Sequence, residues 1–255
     1  MDDNYSGLIF QGKNSRDLGI LIKYPFNWVH PVPDLDPTHI KGRNGDFLQD
    51  DISYQNVTET FTAVVNRPVN MNQFDFERNV TDWLSSPMTK ERKYQYMQFD
   101  ADPEYVYSAI QKDPYSFQWD DTNPFIATGS IPFYCEPFMY KTSGIEYVSL
   151  PEAGIVYNSE IYTAIPNWHF IAKGTFVLNV NDIPYEFDNM DGEFWLSGDT
   201  QDTYDKDNNL YNNQVKLPNL SVPLLQPGLN NISITAETGA TITKAEYMPR
   251  WRRVI

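Results

Sequence analysis

Short stretches of alternating apolar and polar side chains run along most of the chain, and they predict strands. Between Thr58 and Val65 the apolar residues alternate with polar or small neighbours, which is the two-residue period of a half-buried strand. The same alternation predicts strands over Tyr94–Phe99, Phe176–Val180 and Ile232–Ala236. Short apolar runs predict strands over Leu8–Phe10 and Ile20–Ile22, and a further strand is predicted over Gly129–Glu136, ending at Pro137. No stretch after residue 154 has a helical period, so that half is predicted to contain strands alone.

One stretch, Asn72 to Ser86, has the period of a helix. Asn72 is the candidate N-cap and Pro87 the predicted stop. The apolar face is predicted to consist of Phe76, Val80, Trp83 and Leu84. For residues 102–110 the pattern does not decide between a helix and a strand. Asp-Pro-Glu suits the start of a helix, whereas the aromatic residues that follow alternate as in a strand.

A proline-rich stretch, a turn and a strand follow one another in residues 25–65. Four prolines surround Trp28 in residues 25–37, which excludes a central strand and indicates an extended edge or a projecting arm. Gly42 and the pair Asn44-Gly45 suit a tight reversal, because both residue types tolerate positive φ. The apolar parity changes between Tyr54 and Val57, which predicts a bulge near Gln55-Asn56.

Composition and charge exclude several classes of function. The chain has 255 residues, 15% of them aromatic, and a formal net charge of −15, which disfavours nucleic acid and basic-patch membrane binding. A lone cysteine, Cys135, allows no intramolecular disulfide. The acidic N-terminus does not look like a signal peptide, and no stretch reaches the ~18 apolar residues of a membrane span. We therefore expect synthesis in a cytosol and no membrane insertion.

The residues offer no pattern of an active site. Acidic pairs such as Asp50/Asp51 lie in no recognisable context, and the histidines have no metal-ligand spacing. The acidic run from Asp199 has the composition of a calcium loop, but Leu210 and Lys216 stand where an EF-hand needs Gly and Glu. We predict no catalytic, cofactor-binding or metal-binding residue, and no cofactor.

Nine short motifs follow one another along nearly the whole chain. They are Ser15–Ile20, Gly42–Asp46, Asp51–Val57, Asp82–Leu84, Phe133–Pro137, Tyr157–Glu160, Ala164–Pro166, Pro227–Asn230 and Pro249–Trp251. Their order resembles the distal tail protein family of siphophages, which forms the hub of the tail tip or baseplate. One departure is Asn44, where the family more often has Asp.

The resemblance implies a mainly β, two-domain chain. Residues 1–138 would form a tail-tube-like β-sandwich with one α-helix and a projecting β-hairpin. Residues 139–255 would form a galectin-like β-sandwich. The turn-rich stretch 138–154 is where the residues themselves place the boundary.

The resemblance also implies partners. Six copies would form a ring, a homo-hexamer, in the virion. The ring would join the tail-tube protein to the tail-associated fibre or lysin protein and dock receptor-binding or other baseplate proteins. Its lumen would pass the tape measure and DNA without sequence-specific nucleic-acid binding. The candidate assembly interface consists of Trp28, Arg43, Asn44, Asp46, Asp50 and Asp51.

Two other classes of function stay open from the sequence. A galectin-like module could bind host cell-wall saccharide, with Trp168 or Trp195 stacking on a sugar ring. A glycosidase would rest on carboxylate pairs alone, with Asp50 as the residue to test.

Overall fold

The computed structural model describes residues 4–49, 53–85, 93–152 and 154–255. The chain divides into two compact units, Met1–Met139 with Val254–Ile255, and Tyr140–Arg253. The first unit contains β1 (Tyr5–Ser6), β2 (Leu8–Phe10), β3 (Lys13–Asn14), β4 (Ile20–Lys23), β5 (Asp36–Thr38), β6 (Phe47–Gln49), β7 (Val57–Asn66), α1 (Gln73–Ser85), β8 (Gln95–Phe99), β9 (Asp102–Ile110), β10 (Ser116–Trp119) and most of β11 (Ile126–Lys141).

In the first unit, the described strands form a sheet in the order β1-β4-β7-β11-β9-β8-β2-β3, and β10 also pairs with β11. β7 lies between β4 and β11, and the predicted alternation holds, since Phe61, Ala63 and Val65 are buried. Residues 102–110 form a strand, β9. Residues 13–18 form β3 and a 3₁₀ turn.

The predicted helix is present as α1. The Asp75 N–H donates to Asn72 Oδ1 at 2.9 Å, so Asn72 is the N-cap. The predicted apolar face is buried throughout, and Trp83 Nε1 donates to Phe10 O at 2.9 Å, which ties the helix to β2. The predicted stop at Pro87 lies outside the described residues.

The predicted hairpin is also present. β5 pairs with β6, and Pro33 bridges Tyr54 nearer the base. Gly42 and Gly45 have φ of 87° and 80°, as the turn requires. The described part of the returning limb changes partner: Tyr54 pairs with the outgoing limb, whereas Val57 begins β7 opposite Cys135 of β11. Residues 55–56 belong to no strand and separate the two pairings. This corrects the predicted bulge, because a bulge keeps one partner strand.

β11 continues through Pro137 to Lys141 instead of ending at the proline. A proline lacks the N–H but keeps its carbonyl, and Pro137 O accepts the Ile255 N–H at 3.1 Å. The partner segment comes from the far end of the chain, where β20 (Arg252–Val254) pairs with β11.

The second unit is built on two long strands, β14 and β15, that form a hairpin with a register shift between Gly174 and Phe176. Its described strands are β12 (Val148–Ser149), β13 (Ile155–Asn158), β14 (Asn167–Val180), β15 (Ile183–Leu196), β16 (Thr203–Tyr204), β17 (Val215–Lys216), β18 (Gly228–Ala236) and β19 (Thr241–Met248). The sheet order is β12-β19-β14-β15-β16, with β18 on β14, β13 on β18 and β17 on β15.

Stacked phenylalanines form the core of the second unit. Phe176 and Phe187 lie face to face with ring centroids 4.7 Å apart, and Phe170 and Phe194 pack beside them. The prediction of a mainly β chain with a helix and a projecting hairpin is confirmed.

Candidate assembly and binding surfaces

An aromatic cluster anchors the base of the hairpin to the core of the first unit. Trp28 stacks on Tyr107 at 4.7 Å between ring centroids and meets Phe61 and Phe99 edge-on at 5.6 and 5.8 Å. Phe26 lies against Phe99 at 4.4 Å. Trp28, predicted as an assembly residue, is therefore largely engaged within its own unit.

A buried carboxylate lies beside this cluster. Glu59 shares the inward parity of Phe61 in β7 and is fully buried. Its Oε1 accepts the Val29 N–H at 2.9 Å, whereas its Oε2 has no hydrogen-bond partner among the described residues. Burial raises the pKa of the Glu59 carboxyl, against the smaller opposing effects of the Val29 hydrogen bond and the neighbouring His30. Glu59 thus fixes the first residue of the limb beyond Trp28.

Glu59 was not among the residues predicted to be functional. The sequence did contain a signal for it. Glu59 is a charged residue at a position of the regular strand Thr58–Val65 where the alternation places apolar side chains. Periodicity alone does not show which backbone N–H lies opposite such a residue, so its partner Val29 could not be named.

The two limbs of the hairpin project with apolar side chains exposed. The limbs are paired by Asp34 N–H to Ser53 O at 2.8 Å and Gln55 N–H to Val32 O at 3.4 Å. Large exposed apolar residues of this segment are Val29, Val32, Leu35, Ile40 and Phe47. A surface of this kind on a polar arm is typical of a contact with another protein.

Three further predicted interface residues lie in the described part of the hairpin, between its strands β5 and β6. Arg43, Asn44 and Asp46 are exposed, and Asp46 pairs with His39 Nδ1 at 3.2 Å. Asp50 and Asp51 lie outside the described residues. The prediction that they belong to the assembly interface therefore stays a prediction.

The two tryptophans predicted to stack on a sugar do not offer a free ring face. Trp168 is fully buried with Phe170 in the core of the second unit. Trp195 is half-buried, with the His169 ring parallel to it at 4.7 Å on one side and the Tyr204 ring at 6.2 Å. Neither ring could lie flat against a saccharide in this arrangement.

His169 is held between two carboxylates on the sheet face opposite the phenylalanine core. Its Nδ1 lies 3.0 Å from Glu246 Oε2 and its Nε2 2.9 Å from Glu193 Oε1. Burial opposes ionisation of Glu246, but hydrogen bonds from His169 and Lys244 prevail and hold the pKa of this carboxyl below its usual range. The pattern is a satisfied network and not a metal spacing.

The candidate metal-binding and nucleophilic side chains can be compared with their surroundings in the described part of the chain. No group of three His, Cys, Asp or Glu side chains among them could hold a metal ion. Burial raises the pKa of the Cys135 thiol to about 12, so it is not a nucleophile at neutral pH. In the acidic loop, Asp205 Oδ1 accepts hydrogen bonds from the backbone N–H groups of Asp207 and Asn209, so the carboxylate is engaged within the loop itself.

The helices bear on membrane spans as well. No helix in the described ranges is long and apolar enough to cross a membrane.

Comparison with known proteins finds several solved structures that share this fold. The Dit protein (gp 19.1) of phage SPP1 matches with a TM-score of 0.59 and 13% sequence identity over 95% of this chain and 96% of that one. That structure is described as a paradigm of the hub adsorption apparatus in phages that infect Gram-positive bacteria. No protein-family model matches the chain, and no curated protein sequence matches it.

Proposed function

We propose that this chain is the distal tail hub of a siphophage, a structural protein of the virion without catalytic activity. The observation that carries the proposal is the end-to-end agreement of its fold with the SPP1 Dit protein. At 13% identity the match concerns the fold alone. The exposed apolar hairpin adds a second reason, because such an arm suits assembly with other chains.

In this proposal six copies close into a ring at the tail tip, after synthesis in the host cytoplasm. The ring joins the tail tube above to the tail-associated fibre or lysin protein below, and receptor-binding or other baseplate proteins dock on its second unit. The tape measure and then DNA pass through the lumen. An acidic chain suits this passage, because it does not hold DNA electrostatically.

Light scattering on the purified full chain tests the ring directly. We expect a mass six times that of the 29.6 kDa chain, and negative-stain images with six-fold symmetry and a central hole. A chain that stays monomeric at high concentration and in tail preparations would contradict the proposal.

The saccharide-binding alternative has less support from the geometry. Its two candidate rings, Trp168 and Trp195, are covered by neighbouring side chains of their own unit. The glycosidase alternative relies on acidic pairs, of which Asp50 and Asp51 lie outside the described residues.

A further inference from the structure

We propose that one surface of the second unit docks an extended segment of another protein that carries apolar side chains and a basic residue. The surface consists of the outward face of strands β13 and β18 and an adjoining acid-rimmed groove. We call it the β13 surface. The inference deepens the proposed function, since it assigns the docking of a further virion protein to particular residues.

The outward face of β13 and β18 is apolar and exposed. Tyr157 and Leu229 lie directly opposite each other across the two strands, and Ile155 is two residues from Tyr157 on the same face. The three side chains are 51% (Ile155), 64% (Tyr157) and 71% (Leu229) exposed. Contiguous large apolar side chains with this exposure mark interaction sites on soluble proteins.

The fold of this region does not depend on the exposed side chains. The alternate residues of the same strands, Val156, Asn158 and Asn230, are buried and make the structural contacts. Asn158 Nδ2 donates to Leu225 O at 3.2 Å, and Asn230 Nδ2 donates to Gln226 O at 2.8 Å. The outward side chains are therefore available for a partner.

β13 is also an edge strand. Among the described strands it pairs with β18 alone, so its other side faces no strand. A free edge can accept an added strand, whose main chain gives affinity while alternate side chains give specificity. A strand added at β13 would place alternate side chains beside Ile155 and Tyr157.

A groove of about 620 Å³ continues this surface. It adjoins the strands at Asn231, the register partner of Ile155, and at Gly154. Its apolar lining comes from Leu150, Ile232, Ile234 and Ala245. Polar residues such as Asn179 and Ser233 line it as well, so the groove offers contacts to both the aliphatic stem and the charged end of a long side chain.

Two exposed carboxylates, Glu152 and Asp182, also line the groove. Within the described ranges neither has an ion-pair partner, and the chain as a whole carries a formal charge of −15. A Lys or Arg with its stem on the apolar lining and its charged end at these carboxylates complements both features. This charge complementarity selects a basic protein segment as the occupant.

A displayed library of random twelve-residue peptides, selected on the full chain, tests the proposal. We expect enriched peptides with alternating apolar residues and a Lys or Arg. Their binding should weaken about tenfold or more in the double variant Tyr157→Ser/Leu229→Ser, because central apolar contacts dominate such interfaces. Glu152→Gln/Asp182→Asn should weaken the basic peptides selectively. Leu210→Ser, which removes a 65% exposed leucine near β16, is the matched control.

Each other outcome overturns the inference. The inference fails if no peptide is enriched or if the peptides bind all variants equally. It also fails if the double variant abolishes self-association of the chain, since the occupant is then a second copy. It fails as well if cell-wall saccharide fragments bind the chain but not the double variant. Light scattering on every variant separates this test from that of the ring. A hexamer without selected peptides refutes the β13 surface alone, whereas selected peptides on a monomer refute the ring alone.

Discussion

At the scale of single residues, Glu59 makes the folded state sensitive to pH. Its pKa is raised in the folded chain, so the unfolded chain loses this proton at lower pH. Stability from this residue is therefore greatest below the unfolded pKa of about 4.3 and falls as pH rises through the folded pKa. We expect Glu59→Gln to raise the free energy of unfolding at pH 8 by about 1–3 kcal/mol, and by less at pH 4, in urea titrations.

Asp121→Asn is the matched control, because Asp121 is exposed in the same unit. It should leave the free energy of unfolding nearly unchanged at both pH values. An equal gain for Glu59→Gln at pH 4 and pH 8 would show that the buried charge is not the source of the effect.

The burial of a side chain was predictable where it follows from the periodic pattern of its own helix or strand. It was not predictable where side chains of neighbouring strands cover it. The helix face from Phe76 to Leu84 and the inward set of β7 follow from period alone. Trp195 lies on the outward face of its strand, yet its ring is covered because His169 and Tyr204 stand on the neighbouring strands. That neighbourhood depends on strand order, which a local pattern does not contain.

At the scale of elements, the N-cap of α1 gives a direct test of the helix start. Asn72→Ala removes the acceptor for the Asp75 N–H and should lower the free energy of unfolding by about 1 kcal/mol. Asn79→Ala, an exposed change within the helix, should be neutral or slightly stabilising. Thermal unfolding followed by circular dichroism measures both, and equal effects would contradict the capping role.

The base of the hairpin depends on Trp28. Trp28→Ala should cost about 2–3 kcal/mol, less than for a fully buried tryptophan, because Trp28 is half-buried. The hairpin should then be cut faster in limited proteolysis, at sites between residues 29 and 56.

Val32→Ala, which truncates a 62% exposed side chain of the same segment, serves as the control. It should leave both stability and cleavage rate unchanged. If Trp28→Ala accelerates cleavage in the second unit equally, the loss is global and the anchoring role is refuted.

The helix and the hairpin turn were predictable because residues close together in the sequence determine them. The N-cap, the apolar face and the left-handed turn glycines identified α1 and the hairpin. The interruption at residues 55–56 and the continuation of β11 through Pro137 arise from partners distant in sequence, Cys135 and Ile255. Pairing with a distant strand does not change the apolar and polar pattern of the paired segment, so the sequence of that segment does not predict it.

At the scale of the whole molecule, charge should oppose assembly of the proposed ring. Six chains carry six times the formal charge of −15. Salt screens this repulsion, so the hexamer fraction should rise between about 0.05 M and 0.5 M NaCl at fixed protein concentration, as measured by light scattering.

Sucrose at matched osmolality is the control, because it does not screen charge. A hexamer fraction that falls with NaCl would show that ion pairs between chains outweigh the net repulsion. The mass of the assembly itself would still be tested separately.

The fold as a whole was predictable from motif order, whereas the β13 surface was not. Motifs spread along the chain pointed to the distal tail family, and the SPP1 Dit structure has the same fold. The groove is lined by residues 150–152, 154, 179, 182, 231–234 and 245, and their convergence depends on the packing of strands far apart in the chain.

The division of the chain has a consequence for the order of synthesis. The first unit needs Val254 and Ile255, where the Ile255 N–H meets Pro137 O and the Ile255 carbonyl lies 2.9 Å from His30 Nδ1. The ribosome makes these residues only after all of the second unit. During translation, the second unit therefore has its whole sequence before the first unit does. A chain that stops early would leave the base of the hairpin without these contacts.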